Sequence, residues 1–261
     1  MLNFSANLSM LFTELPFLDR FAAARAAGFG SIEFLFPYEY EVQHLAGLLT
    51  ANRLKLVLFN LPAGDWDQGD RGIAANPNRV EEFRAGVEKA LDYACILGVS
   101  QLNCLAGKML PGVSENEQWN TLKENLQFAS DVLAKREVKL LVEFINRRDI
   151  PGFFLHRTAQ TVRLLDEVDR PNIFLQYDLY HAQREEGELT ATIRAHFDRI
   201  AHIQIADNPG RHQPGTGEIN FPYIFDQLEA LNYQRHIGLE YLPAPDTLSS
   251  LAWLTPYGLK A

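Results

Sequence analysis

Long hydrophobic runs, cysteines and clusters of basic residues are all scarce in this 261-residue sequence, and each absence excludes a class of protein. No stretch approaches the roughly 18 consecutive apolar residues of a transmembrane helix, so we expect no membrane partner. The N-terminus has neither a basic segment nor an apolar core, which argues against a secretory signal peptide. The two cysteines, Cys95 and Cys104, stand among apolar residues and are predicted to be buried thiols in a reducing compartment. These features together predict a cytoplasmic location.

The charge balance excludes a further class of partner. A net charge of −9, from 33 acidic and 24 basic residues, opposes binding to a nucleic-acid backbone, because such binding depends on clustered Lys and Arg. Glycine-rich segments occur, but none has the spacing of a dinucleotide-binding or phosphate-binding loop. Hydrophobic residues make up 47% of the chain, which is enough for a large core. We therefore expect a soluble protein that binds neither nucleic acid nor nucleotides.

Short apolar runs of strand length alternate along the chain with longer segments of helical period. The predicted strands are residues 3–7, 31–36, 55–60, 101–105, 139–143, 174–178, 199–206 and 236–240. The predicted helices are residues 17–28, 42–52, 80–97, 114–135, 158–168, 189–197, 222–231 and 248–254. Eight strands in strict alternation with eight helices favour a closed (β/α)8 TIM barrel over an open doubly wound sheet. No shift in composition marks a boundary, so we predict a single α/β domain over residues 1–261.

Polar side chains stand at the ends of four consecutive predicted strands, the fifth to the eighth. They are Glu143, Asp178, Gln204 and Glu240. In a TIM barrel the carboxyl ends of the strands form the active site. Carboxylates held that close repel one another unless a cation neutralises them, and oxygen ligands suit a hard divalent ion. We therefore predict that these four residues bind Mg²⁺, or else Mn²⁺, in preference to Zn²⁺.

A structural interpretation of the same four residues stays open. Each of them could cap a helix or pair with Arg or Lys inside the barrel instead of binding a metal. Gln204 is the weakest candidate, because an amide can hydrogen-bond to backbone without any metal.

Several motifs in the chain resemble those of the hydroxypyruvate isomerase family. They are FSANLSMLF (4–12), EFLFPY (33–38), FNLPAGDW (59–66), QIADNP (204–209), GTGEIN (215–220) and GLEY (238–241). The resemblance covers nearly the whole chain and implies a xylose isomerase-like TIM barrel. That superfamily also includes ketose 3-epimerases and an apurinic-site endonuclease. The chain departs from the family at Phe144, where Pro is common, and this change adds a backbone donor and bulk beside Glu143.

The resemblance places the four polar residues at metal-ligand positions and assigns Glu143 and Glu240 as the acid/base pair. It implies an isomerase that interconverts hydroxypyruvate and tartronate semialdehyde by moving a proton between adjacent carbons through an enediolate. A divalent ion would chelate both substrate oxygens and stabilise the developing charge. One glutamate would remove the proton and the other would return one, in an order that stays open.

Three further residues are candidates for binding the substrate, a small anionic 2-oxo acid. His181, three residues after Asp178, is predicted to hydrogen-bond a substrate oxygen, although such a His can also be structural. Arg71 and Arg211 lie in the irregular segments 61–78 and 207–220, and an irregular segment as long as the first is usually functional. Either Arg could bind the substrate carboxylate in bidentate fashion, or be a surface charge.

Other functions are not excluded by the residues alone. An isomerase of 2-oxo-tetronate or a 3-epimerase of a ketose would have the same metal site. A phosphodiesterase of the apurinic-site endonuclease type would need a His-rich, multi-zinc site and a basic face, and the sequence offers neither. A non-catalytic binder of sugar acids is the remaining alternative, and a homo-oligomer is left open.

Overall fold

The eight strands form one closed, parallel barrel in chain order, as a computed structural model of residues 2–258 describes them. They are β1 (Asn3–Asn7), β2 (Ser31–Glu33), β3 (Lys55–Asn60), β4 (Gln101–Cys104), β5 (Lys139–Glu143), β6 (Ile173–Asp178), β7 (Ile200–Ile205) and β8 (His236–Leu239). The barrel closes where β1 pairs with β8, from Asn3 opposite His236 to Ala6 opposite Leu239. The predicted TIM-barrel fold is therefore confirmed. Of the predicted domain, positions 1 and 259–261 lie outside the described residues.

Nine α-helices surround the barrel within the described range, most of them in the layer outside the strands. They are α1 (Arg20–Ala26), α2 (Val42–Asn52), α3 (Val80–Leu97), α4 (Glu115–Ala134), α5 (Thr158–Val168), α6 (Leu179–Glu185), α7 (Leu189–Ala195), α8 (Phe221–Ala230) and α9 (Thr247–Ser250). Short 3-10 helices cover Phe17–Asp19, Pro77–Arg79, Phe197–Arg199 and Ala252–Tyr257. Helix α6 was not predicted, because it follows β6 without a break and its first residues continue the apolar, aromatic run. None of the described helices combines the length and the hydropathy needed to cross a membrane.

Among the strands, β2 is the one whose predicted end was most in error. It ends at Glu33 rather than at residue 36, and its pairing with β3 shifts register between Ile32 and Glu33. Glu33 is thus the last residue of a strand, facing the barrel mouth. The prediction for the cysteines was also half wrong, because Cys104 is buried but Cys95 is exposed on the outer side of α3.

The apolar core positions the strand ends. Most buried hydrophobic residues form one cluster between strands and helices, and a smaller, separate cluster contains Val57, Leu141 and Ala201. Leu141 lies two residues before Glu143, so alternation along β5 gives both the same face. Phe144 takes the opposite face and is buried with its ring 5.8 Å from that of Tyr177. Its bulk is therefore absorbed by the outer apolar layer and does not crowd Glu143.

Helix α4 begins at a side-chain N-cap whose contribution can be tested. Ser114 is the N-cap, and its Oγ accepts a hydrogen bond from the Glu117 backbone N–H at 3.2 Å. We expect Ser114→Ala to lower the free energy of unfolding by about 1 kcal/mol and Ser114→Gly by only a few tenths. Urea denaturation followed by circular dichroism measures both. Equal losses from the two substitutions would show that the cap contributes nothing specific.

Candidate active site

Polar side chains from or next to the ends of all eight strands meet in one hydrogen-bonded network, which we call the polar belt. Its members are Asn7, Glu33, Asn60, Asn103, Glu143, Gln176, Gln204 and Glu240. Every member is buried, with at most 7% of its surface exposed. Most links run from an amide N–H to a carboxylate oxygen, which is how buried charge is accommodated without water.

Glu143, at the end of β5, has one oxygen held by the belt and one that the belt leaves open. Its Oε2 accepts hydrogen bonds from Asn103 Nδ2 at 2.9 Å and from Gln176 Nε2 at 3.0 Å. Its Oε1 lies 3.9 Å from Nε2 of His181, beyond hydrogen-bonding distance. The belt therefore aims Glu143 and leaves one oxygen available for chemistry.

Asp178 likewise has one oxygen that is hydrogen-bonded and one that is not. Oδ1 caps α6 by accepting from the backbone N–H of Tyr180 at 2.8 Å, so the helix-cap interpretation of this residue is correct as far as it goes. Oδ2 is buried and has no hydrogen-bond partner among the described residues, and it lies 3.6 Å from His181 Nε2. An orphaned carboxylate oxygen next to an open one on Glu143 fits a site for a cation.

Glu240, directly after β8, differs because both its oxygens are engaged. Oε2 accepts from Asn7 Nδ2 and Gln204 Nε2, while Oε1 accepts from Nη2 of Arg211 at 2.6 Å. The same Nη2 lies 3.8 Å from Asp178 Oδ2. Arg211 thus stands between two of the acidic groups as their positive partner.

Burial and mutual repulsion raise the pKa of all three carboxyl groups. Burial, followed by the charges of Glu240 and Asp178, raises the pKa of Glu143 well above its usual range. Burial raises the pKa of Glu240 to about 8, although Arg211 opposes the shift. Burial likewise raises the pKa of Asp178, against the attraction of Arg211. These groups favour a shared proton or an added cation over three negative charges.

Glu33 is a fourth buried carboxylate of this region, and sequence reasoning missed it. It pairs with Nε2 of His202 at 2.8 Å and accepts from Ser5 Oγ at 2.9 Å and Gln204 Nε2 at 2.8 Å. Burial would raise the pKa of its carboxyl, but His202, Gln204 and Ser5 together hold that pKa below the usual value. The strand-end rule, applied to the first four strands with the correct end of β2, would have found it.

Two of the predicted metal ligands, Glu143 and Asp178, form a group with His181 that could hold a metal ion. One potential ligand atom from each lies within 4.8 Å of the others. Gln204 is adjacent, but its Nε2 faces the carboxylates and its Oε1 accepts from Gln176 Nε2 at 2.6 Å. Its role as an oxygen ligand stays a prediction.

The two candidate arginines occupy different parts of the barrel mouth. Arg211 lies among the acidic residues, with its guanidinium 5.1 Å from the ring centre of Tyr180. Arg71 lies over the ring of Trp66 at 4.1 Å and donates to the backbone carbonyls of Trp66 and Asp70. Trp66 in turn lines a cleft of about 770 Å³ near the ends of β1 to β3. Substrate binding by either arginine stays a prediction.

The loop that carries Arg211 is organised by one carboxylate. Asp207 accepts backbone N–H groups from Gly215, Gly217 and Ile219 at 2.8 to 3.1 Å. A Cβ on Gly217 would lie 2.2 Å from the carbonyl oxygen of Asn208, so only glycine fits this close approach. Asp207 and Gly217 therefore define the path of the loop that carries Arg211.

Comparisons with known proteins agree with this fold. The family model described as xylose isomerase-like TIM barrel matches residues 21–257. The chain accordingly belongs to the xylose isomerase-like TIM barrel family.

Its relatives indicate the kind of enzyme within this family. The chain is 51% identical to hydroxypyruvate isomerase of Escherichia coli (strain K12), over 98% of this chain and 100% of that protein. It is 44% identical to 2-oxo-tetronate isomerase of Cupriavidus necator, over 97% of this chain and 98% of that protein. The crystal structure of AP endonuclease, family 2, from Brucella melitensis superposes with a TM-score of 0.96 at 44% identity, covering 98% of this chain and 99% of that one. The protein is an isomerase of this family.

Proposed function

We propose that the protein interconverts hydroxypyruvate and tartronate semialdehyde. The observation that carries this proposal is the pair of buried glutamates, Glu143 and Glu240, whose carboxyls both have a raised pKa and repel each other across the barrel mouth. The reaction needs one group to take a proton from carbon and another to return a proton to the adjacent carbon. The 51% identity to the Escherichia coli enzyme supports the choice of substrate.

A divalent ion belongs to this proposal because the donor set fits one. Its ligands would be Glu143, Asp178, Gln204 and Glu240, and oxygen donors of this kind favour Mg²⁺ or Mn²⁺. The unpartnered Asp178 Oδ2 is the atom whose burial is hardest to explain otherwise. When bound, the ion supplies the positive charge that polarises the substrate carbonyl and stabilises the negative charge formed during proton transfer.

The remaining steps are assigned to the chain's own side chains. Glu143 and Glu240 hold and move the proton, because a carboxyl whose pKa lies near the working pH can both accept and release one. Arg211 holds Glu240 through Nη2 at 2.6 Å, and we assign it to bind the carboxylate of a substrate placed beside that pair. Arg71 is the second candidate for that carboxylate, and His181 donates to a substrate oxygen.

Isomerisation of 2-oxo-tetronate is the second candidate function. The specific observation in its favour is the 44% identity to 2-oxo-tetronate isomerase of Cupriavidus necator. The same glutamate pair and the same ion would serve, since the two substrates share the 2-oxo acid group. Only the fit of the longer carbon chain at the barrel mouth distinguishes the two reactions.

An isomerase assay with and without chelator tests both the substrate and the ion. We expect both 2-oxo acids to be turned over faster than D-fructose, because Arg211 and Arg71 favour an anion. We expect hydroxypyruvate to be the faster of the two acids, in line with the 51% identity to hydroxypyruvate isomerase. We expect removal of metal to lower turnover by about 10²-fold or more, and Mg²⁺ or Mn²⁺ to restore it. Product formation by NMR is the measurement. Preference for the neutral ketose contradicts the proposed substrate, and full activity after thorough chelation contradicts the role of the ion.

A further inference from the structure

Asn146, three residues after β5, has an amide whose orientation is fixed by the backbone. Its side chain is fully buried, and its Oδ1 accepts the N–H groups of Arg148 at 3.1 Å and Asp149 at 2.9 Å. A flipped amide would set its own N–H groups against these two donors, so the orientation is determined. The Nδ2 group must therefore point the other way, to Asp149 Oδ2 at 3.2 Å and to Nδ1 of His181 at 2.6 Å.

This contact determines which nitrogen of His181 carries the proton. An amide nitrogen only donates, so Nδ1 of His181 must accept and cannot bear a hydrogen. A ring whose Nδ1 accepts a hydrogen bond is not the doubly protonated cation, and a neutral imidazole keeps one proton. That proton lies on Nε2. It faces Asp178 Oδ2 at 3.6 Å and Glu143 Oε1 at 3.9 Å, distances too long for hydrogen bonds.

The same arrangement bears on metal binding. A histidine that ligates a metal through Nε2 needs a lone pair there, and it normally donates Nδ1–H to a carboxylate or carbonyl. His181 has the reverse environment, since a donor faces its Nδ1. The open carboxylate oxygens of Glu143 and Asp178 can serve as ligands, whereas the imidazole presents an N–H to the space that they share.

We propose that Asn146 is a positioning residue, which holds His181 in the Nε2–H tautomer so that the ring donates to a substrate oxygen and does not ligate the metal ion. The substrate half of this inference rests on the proposed function. The tautomer itself does not, because it follows from hydrogen bonds within the chain.

The test exchanges donor and acceptor in the hydrogen bond between residue 146 and His181. Asn146→Asp replaces the amide donor that faces His181 with an acceptor. Adding Asp149→Asn places an amide donor on residue 149, so that the hydrogen bond between side chains 146 and 149 is kept. The double substitution therefore moves the His181 proton to Nδ1 with almost no change in volume. Asp149→Asn alone is the matched control, because it leaves the donor at Asn146 in place. Long-range ¹H–¹⁵N NMR spectra, with His181 assigned by its loss in His181→Gln, report the protonated nitrogen.

In metal-free protein without substrate, we expect the Nε2–H tautomer in the wild type and in the control, and Nδ1–H in the double variant. In the double variant we expect turnover to fall by about 10²-fold, as for loss of one hydrogen-bond donor to developing charge. We also expect tighter Mn²⁺ binding by calorimetry, because Nε2 gains a lone pair. General damage to the site would weaken both properties together.

A proton on Nδ1 in the wild type overturns the inference, and so does full turnover in the double variant once its spectrum shows the exchanged tautomer. The wild-type spectrum alone is decisive if the double variant does not fold. It also separates the two proposals, since the tautomer can be established even if hydroxypyruvate is not the substrate.

Discussion

Glu240→Gln and Glu143→Gln are each expected to lower turnover by about 10²- to 10⁴-fold, the usual contribution of a general acid or base. Glutamine keeps the volume and one oxygen acceptor, so the donors from Asn103 and Gln176 can still hold the side chain at position 143. It cannot accept or release the substrate proton. Steady-state kinetics on hydroxypyruvate measures the loss. A variant that keeps more than about a tenth of wild-type turnover contradicts the acid/base assignment, and a non-catalytic binder would show no turnover to lose.

The same substitution at Glu240 is expected to change how the stability of the metal-free protein depends on pH. The pKa of this carboxyl rises from an ordinary value of 4.5 to about 8 on folding, because the ionised form is buried. Its favourable contribution is therefore complete below the unfolded value and is lost as pH rises through the folded one. The Tm of Glu240→Gln relative to wild type should therefore be clearly higher above about pH 8 than at about pH 5.

Thermal unfolding with chelator present tests this pH dependence. Glu81→Gln is the control, because that side chain is 90% exposed and should leave Tm nearly unchanged at both pH values. A Tm difference at Glu240 that is the same at both pH values contradicts the account of its buried charge.

Gly238→Ala is expected to be the most damaging addition of one methyl group in the barrel. A Cβ at this position would lie 2.3 and 2.5 Å from the two carboxylate oxygens of Glu33. Glu33 cannot simply turn aside, because His202, Ser5 and Gln204 all bond to that carboxylate. Displacing a buried charge from its partners costs about 3–5 kcal/mol. We also expect turnover to fall, since Gln204 links Glu33 to Glu240.

Gly30→Ala is the matched control, because a Cβ there meets no heavy atom within 4 Å. Denaturant unfolding and turnover of the two variants give the comparison. If Gly238→Ala destabilises the protein no more than Gly30→Ala does, Glu33 is free to move and the polar belt is not rigid.

Much of the fold was predictable because periodicity and turn residues act locally. Helices α2, α3 and α5 and strands β3 and β5 begin and end at the predicted residues, with Gly98 in the left-handed conformation just after α3. Helix α6 was not predictable by the same means. Its local signal is the N-cap Asp178, which hydrophobic pattern alone does not distinguish from the last residue of a strand.

The site was predictable only in part, for a different reason. Glu143 and Asp178 are the last residues of their strands, and one rule finds both. The pairing of Glu33 with His202 depends on register shifts in β2–β3 and β6–β7 pairing, which leave no mark in the sequence. The contact between Asn146 and His181 joins residues 35 positions apart through a loop, so its existence depends on the completed fold.

The polar belt also constrains how this protein can diverge. Asn103 Nδ2 donates to both Asn60 and Glu143, and Gln176 Nε2 donates to both Glu143 and Gln204. A replacement at one such position leaves two neighbours without their donor, so a tolerated change requires a second one on an adjacent strand. We therefore expect the residues of the belt to change together, whereas residues in the loops above it can change one at a time. We accordingly expect a change of substrate to need substitutions in the loops and to leave the buried glutamates in place.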